Sequence, residues 1–233
     1  MAIALDATAV STDQSASPLT WNHTCTGSNL LLVVGITCVS QNIQPTVTAV
    51  TYNGVSMTKA RGDQRSLATA ETESSIWLLH GPSTGSNQIS ATITNVGHAA
   101  GGSASYTGAQ QSDTADAVNG NTGTATGSQT VTLTTVSDNT WLFAVGVNAA
   151  TVGPTMAANQ TSRGTVSLAS SQPSVLRIED TNGPKSPAGS YSIGMTVGAT
   201  AGEQDWALSA ASFAPAGAAP PATNSVMAMM GVG

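Results

Sequence analysis

Along most of the chain, apolar side chains recur at every second position in short runs broken by Gly, Asn, Ser and Pro. In "SPLTWNHTC", Leu19, Trp21, His23 and Cys25 alternate with Thr20, Asn22 and Thr24. A period of two is that of a strand with one buried face. "NLLLVVGITCV" is apolar almost throughout, and the run over 29–40 predicts a strand buried on both faces. In "VTAVTYNGVSMTKA" two alternating arms flank Asn53-Gly54. A type I′ turn needs positive φ at both central residues, which Asn-Gly adopts at little cost, so a hairpin is expected at 47–60. Further strands are expected at about 3–10 and in "SLATAETESSIWLLHG", "NQISATITN", "HAAGGSASYTG", "SQTVTLTTV", "NTWLFAVGVNA", "TSRGTVSLAS", "SVLRIEDT", "SYSIGMTVG" and "QDWALSAASFAPA". The spacing of a helix, with apolar residues at i, i+3, i+4 and i+7, is not sustained anywhere. The pattern predicts an all-β chain: an antiparallel two-sheet β-sandwich of jelly-roll type forming one domain over 1–214. "NGNTGTATGS" at 119–128 reads as a long loop inside that sandwich rather than a hinge between two small domains. "PAGAAPPA" at 215–222 reads as an extended linker, followed by an extended apolar tail at 223–233.

Composition narrows the picture. Charged residues make up 8% of the chain, against about 25% in an average domain, so the surface is expected to be Ser, Thr and Asn. The net charge is −6 with only six Lys and Arg, which argues against binding nucleic acid by phosphate neutralisation. No apolar run approaches the roughly 20 residues of a membrane helix, so no membrane partner is expected. "MAIALDATAV" lacks a basic segment and reaches Asp6 too early for a signal peptide. Synthesis in a cytoplasm is expected, with export only as part of something larger. Cys25 and Cys38 both sit on apolar runs. They are expected to be free, buried thiols, because a hairpin about "TGSN" would set Cys25 opposite residue 29 or 30.

Chemistry is sparse. His23, His80 and His98 show no metal-binding spacing, and neither HExxH, CxxC nor GxSxG occurs. Glu71 and Glu73 would share one face of a strand, expected to be the solvent face. Glu179 and Asp180 precede the turn-rich "TNGPKSPAG" and are the weak candidate for a calcium ion. Trp77 and Trp141 are expected in the core; Trp206 is expected to be buried too, with a sugar platform as its alternative. Asn22 and Asn159 head Asn-X-Thr triplets, which a Thr-rich chain produces by chance. The expectation is a non-enzyme with no catalytic residue, cofactor or metal.

Taken in order, "GSNLLLVVGITCV", "VTAVTYNGVSMT", "SIWLLHGP", "ASYTGAQQSD", "NTWLFAVGV" and "EQDWALSAASFAPA" resemble a recurrent β-sandwich module of phage virion proteins and bacterial surface proteins. The resemblance spans about residues 3 to 215. It implies a jelly-roll, concanavalin-like sandwich and a habit of decorating surfaces, with no active-site residue. The tail fits that habit. Val226, Met227, Met229, Met230 and Val232 are uncharged and would be a liability in water unless docked. The reading is a structural protein of a phage or phage-like particle, a capsid decoration or a fibre or tail-associated subunit. It would be assembled in the host cytoplasm from copies of itself and other virion proteins. The alternative is a carbohydrate-binding module at a cell surface, with a glycan as partner.

Overall fold

The computed structural model describes residues 1–217 except 42, 68–69, 113, 125–126, 149–154, 158, 171–173 and 198–204. Strands account for its regular structure, with no helix among the described residues. The first half contains β1 (Ala4–Val10), β2 (Leu19–Cys25), β3 (Leu31–Ser40), β4 (Thr46–Tyr52), β5 (Val55–Ser56), β6 (Thr58–Leu67), β7 (Ala70–His80), β8 (Gly85–Thr94) and β9 (His98–Thr107). The second contains β10 (Ala117–Gly123), β11 (Gly127–Thr134), β12 (Trp141–Asn148), β13 (Thr155–Met156), β14 (Thr161–Leu168), β15 (Ser174–Asp180), β16 (Ser190–Val197) and β17 (Trp206–Phe213).

These strands form four antiparallel sheets stacked as layers. The first outer sheet, β2-β8-β4-β5, covers the first inner sheet, β1-β9-β3-β7-β6; the second inner sheet, β10-β17-β12-β15-β14, is covered by the second outer sheet, β11-β16-β13. Three apolar cores fill the gaps. Leu19, Trp21, Leu32, Val34 and Ile36 lie in the first, Leu31, Val33, Phe143, Val145 and Ile178 between the inner sheets, and Leu133, Leu142, Ile193 and Leu208 in the third. The antiparallel sandwich expected from the period of two is therefore present, and present twice.

The two halves share one topology. Reading β1, β9, β3, β7, β6 as β10, β17, β12, β15, β14, and β2, β8, β4 as β11, β16, β13, reproduces both sheet orders. Register agrees as well. Leu31 pairs with Tyr106 in the first half, and Trp141 with Phe213 in the second. Bulges interrupt β6 at Lys59/Arg61 and β14 at Ser162/Gly164, next to the equivalent Ile76 and Ile178. Asn29 and Asn139, which lead into β3 and β12, have φ of 49° and 60°. The inner sheets meet reciprocally, β1 against β14 and β10 against β6, the pattern of an interface about a two-fold axis.

Two local expectations change. Asn53 and Gly54 have φ of 50° and 75°, as a type I′ turn requires, but the ladder ends after Thr51↔Ser56 and Tyr52↔Val55. The chain then leaves the outer sheet and enters the inner one as β6. The stretch at 119–128 is not a long loop. Asn119–Gly123 complete β10, whose register on β17 runs from Ala117↔Ser212 to Gly123↔Trp206.

Candidate functional site

The charge pattern follows the layers. None of the seven outer-sheet strands, β2, β4, β5, β8, β11, β13 and β16, contains Asp, Glu, Lys or Arg. Their inward positions are apolar apart from His23 and Gln129, and their outward positions carry hydroxyls and amides, because alternation puts every second residue outside. On the second outer sheet Thr132 lies 3.0 Å from Ser192 and Thr134 3.1 Å from Ser190, oxygen to oxygen. On the first, Thr20, Asn22 and Thr24 stand beside Ser90, Gln88 and Ser86. The molecule thus presents two uncharged, hydroxyl-rich faces on opposite sides of the stack.

The ionic groups sit on the inner sheets and in connections, and several are buried. Glu73 is fully buried, not solvent-facing as its strand spacing suggested. Its carboxylate meets Lys59 Nζ at 2.9 Å and accepts from Val47 N at 3.1 Å, joining outer to inner sheet. Glu71 accepts a hydrogen bond from Ser66 at 2.9 Å. Asp63 accepts from Arg61 Nε at 2.9 Å and from Ser209 Oγ at 2.6 Å, which ties the two halves together. Asp180 accepts from Arg163 Nε and Nη2 at 2.7 and 2.8 Å, from the Tyr106 hydroxyl at 2.8 Å and from Asn182 N at 2.8 Å. Glu179 points to the opposite face of β15, so the two adjacent carboxylates do not form the joint calcium site considered from sequence. Among the described residues, no group of three or more His, Cys, Asp or Glu is placed to hold a metal ion.

His23 is buried between two hydroxyls, with Nδ1 2.9 Å from Ser103 Oγ and Nε2 3.0 Å from Ser105 Oγ. Ser105 donates in turn to Asp6 at 2.6 Å. Burial pushes the imidazole down to about 4, with the Asp6 charge opposing. His98 Nδ1 lies 2.9 Å from Asp13. His80 lines a cleft of about 120 Å³ with Leu31, Gln110, Asp116 and Phe213. Asp116 accepts from the backbone N–H of Val136 and of Ser137, both at 2.9 Å. All four tryptophans are buried, and Cys25 and Cys38 are free and buried.

One set of side chains has no counterpart in the sequence reading. On the face of β15, β12 and β17 that meets the second outer sheet, Asn148 lies between Val175 and Trp206, and in the next row Gly146 lies between Arg177 and Leu208. Glu179 follows beside Ala144. Asn148 and Glu179 are fully buried. Among the described residues, both side-chain polar atoms of Asn148, both carboxylate oxygens of Glu179, Nε of Arg177 and Nε1 of Trp206 have no hydrogen-bond partner. Burial pushes the Glu179 carboxyl up to about 8; Arg177 works against that rise and Asp180 adds to it. At the equivalent places in the first half stand Cys38, Ser75, Trp77 and Ala99, and there Trp77 Nε1 donates to Ser75 Oγ at 3.1 Å. The signal was Asn148 itself, a carboxamide closing the apolar run "WLFAVGV".

The chain ends of the described fold converge. The Met1 ammonium donates to Ala216 O at 2.9 Å, Ala216 N donates to Gly108 O at 2.8 Å, and Ala109 bridges Pro215. The tail candidates Val226, Met227, Met229, Met230 and Val232 lie outside the described residues. Compared with protein-family models, curated proteins and solved structures, the chain has no match.

Proposed function

We propose that the protein is a non-enzymatic structural subunit of a phage or phage-like particle, a capsid decoration or a fibre or tail-associated component. The observation that supports this best is the pair of uncharged outer faces. Copies of a chain carrying −6 repel one another, yet all seven outer strands are free of charge. Contact through such faces brings no like charges together and desolvates no ion, the large cost of burying charged surface. The hydroxyls and amides can exchange hydrogen bonds with water for hydrogen bonds with a neighbour. The apolar tail at 223–233 supplies the second contact, reaching a neighbour through the part of the 215–222 linker that follows the pinned Pro215 and Ala216.

The test places a charge in the middle of each face, with Thr132→Asp and Gln88→Asp, and separately deletes 223–233. Both residues are exposed, so the monomer fold should survive, as checked by circular dichroism. The expected result is loss of higher oligomers in sedimentation velocity and loss of incorporation into particles. Assembly of all three variants at the wild-type level would overturn the proposal.

A further inference from the structure

We infer that the open edge of β11, at the rim of the second outer sheet, is where a second copy of the chain adds, its own β11 pairing antiparallel with this one. An edge strand offers unpaired N–H and C=O groups to any other strand, and proteins blunt such edges with charge, proline, bulges or very short strands. The other edge strands of the four sheets carry such devices. β1 has a bulge at Leu5/Ala7 and contains Asp6. β6 has a bulge and the charges of Lys59, Arg61, Asp63 and Arg65, and β14 has a bulge and Arg163. β5 and β13 are only two residues long. On β10 the edge-facing N–H groups of Gly120 and Thr122 are held at 2.9 Å by the carboxamide oxygens of Asn119 and Asn121. β2, the counterpart of β11, is entered through Pro18.

β11 has none of these. Its register on β16 runs from Gly127↔Val197 to Thr134↔Ser190 without a bulge, and it contains no charge and no proline. The hydroxyls of Thr132 and Thr134 meet those of Ser192 and Ser190, the close side-chain approach of pairs that exchange no backbone hydrogen bond. Ser128, Thr130, Thr132 and Thr134 therefore turn their N–H and C=O groups away from β16, toward the open edge. Among the described residues the only cap on this row is Asn119 Nδ2, 2.8 Å from Thr132 O, and a carbonyl can accept from a second donor. Asp116 takes the next N–H, that of Val136, and ends the open row. The row is complementary to itself. With a two-fold axis at Val131, Ser128 faces Thr134 of the second copy and Thr130 faces Thr132, and each pair can exchange both backbone bonds. The outward side chains brought together are all hydroxyls, with no charge opposite its like. Such a contact is small beside a standard interface of about 1,600 Å², so the dimer is a weak one. It goes beyond the proposed function, whose contacts are the sheet faces and the tail, and does not depend on a particle.

The experiment uses the full chain in sedimentation velocity from micromolar to near-millimolar concentration, with hydrogen exchange read at single amides. A monomer–dimer equilibrium is expected. Where the dimer dominates, exchange at the N–H groups of Ser128, Thr130, Thr132 and Thr134 should slow about tenfold or more, while Asn22 and Thr24 on the edge of β2 keep their rates. Thr130→Pro removes an edge-facing N–H that β16 does not use, a position where a strand tolerates proline. The variant should keep the wild-type circular dichroism and dimerise about tenfold more weakly or worse. Thr130→Ala keeps the N–H and should dimerise as the wild type does. Gln88→Asp, on the other outer sheet, should also leave the dimer intact. Exchange needs no variant and decides the matter should Thr130→Pro fail to fold. Absence of a dimer at the highest concentration, unchanged exchange along the row, or wild-type dimerisation by folded Thr130→Pro would each overturn the inference. Slowing at Asn22 and Thr24 instead would overturn it in favour of β2. Loss of the dimer in Gln88→Asp alone would overturn it in favour of face contact, which leaves the proposed function standing.

Discussion

Gly35 and Val145 occupy equivalent positions in the two halves and face each other across the central core. A Cβ built on Gly35 would lie 2.7 Å from the Val145 Cβ and 3.1 Å from Ile178 Cγ2. Two identical residues cannot both fill the place where the two-fold axis crosses β3 and β12, and the chain resolves this with one small and one large residue. Gly35→Ala should therefore destabilise the protein by about 1–3 kcal/mol through overpacking. The exchange Gly35→Val with Val145→Gly keeps the total volume and should be closer to wild type than Gly35→Val alone. Thermal melts of the three variants check this; equal melting temperatures for the single and double Val variants would show that the two sites do not share one space.

The buried pair of Arg163 and Asp180 has an apolar equivalent in the first half, where Leu78 stands in the place of Asp180, and Phe213 is the equivalent of Tyr106. Arg163→Met leaves Asp180 without its fork and should cost about 3–5 kcal/mol, the usual penalty for an uncompensated buried charge. Adding Asp180→Leu and Tyr106→Phe removes the orphaned groups and should restore most of the loss. Denaturant unfolding measures both steps. A triple variant no more stable than Arg163→Met would show that the ionic network is required by the packing itself.

Stability should depend on pH through two opposed groups. Glu179 has a folded value of about 8 against an ordinary 4.5, so the folded state holds a proton that the unfolded chain releases, and stability falls as pH rises from 4.5 to 8. His23 has a folded value of about 4 against 6.5. The unfolded chain binds that proton first, so stability falls as pH drops from 6.5 to 4. The two slopes oppose each other below pH 6.5, and the Glu179 slope stands alone above it. Melting temperature against pH should decline between 6.5 and 8, and Glu179→Gln should flatten that decline. An unchanged profile in the variant would remove Glu179 as its source.

Cys25 and Cys38 should resist alkylation in the folded state, because burial raises both thiols above their ordinary range. Denaturation without reductant should expose both to the reagent. Mass spectrometry reads the result, and protection of both in the denatured chain would reveal a disulfide.

Strands were legible where one face is buried, as in β2, or both, as in β3, since burial writes its period into the side chains. β6 was only grazed by the predicted hairpin. Lys59, Arg61, Asp63 and Arg65 hide its period: Arg61 and Asp63 pair within the strand, while Glu73 and Asp205, the partners of Lys59 and Arg65, lie elsewhere in the chain and are not visible locally. β10 was missed because Gly120 and Gly123 have no side chain to show alternation, and its pairing with β17 is about 90 residues distant in sequence. The duplication was hidden for a related reason. What the halves share is which face each position occupies, and that tolerates Leu31 against Trp141 or Leu78 against Asp180. Trp206 is buried, as its place at the start of an apolar strand suggests, but Asn148 and Arg177 read as ordinary strand residues. Glu73 was placed on the wrong side because its ion partner lies on the neighbouring strand.

The convergence of Met1, Gly108 and Ala216 also has a mechanical meaning. β17 is flanked on both sides, by β10 and by β12, and it continues directly into the pinned segment from Ala214 to Ala216. A pull applied through residues beyond 217 is delivered along the axis of an interior strand. To extract it, two full ladders of hydrogen bonds must slide at once instead of opening one bond at a time, as they would on an edge strand. Ala216 is thus rooted in the middle of a sheet, and a pull applied there would load two ladders in shear rather than peel an edge.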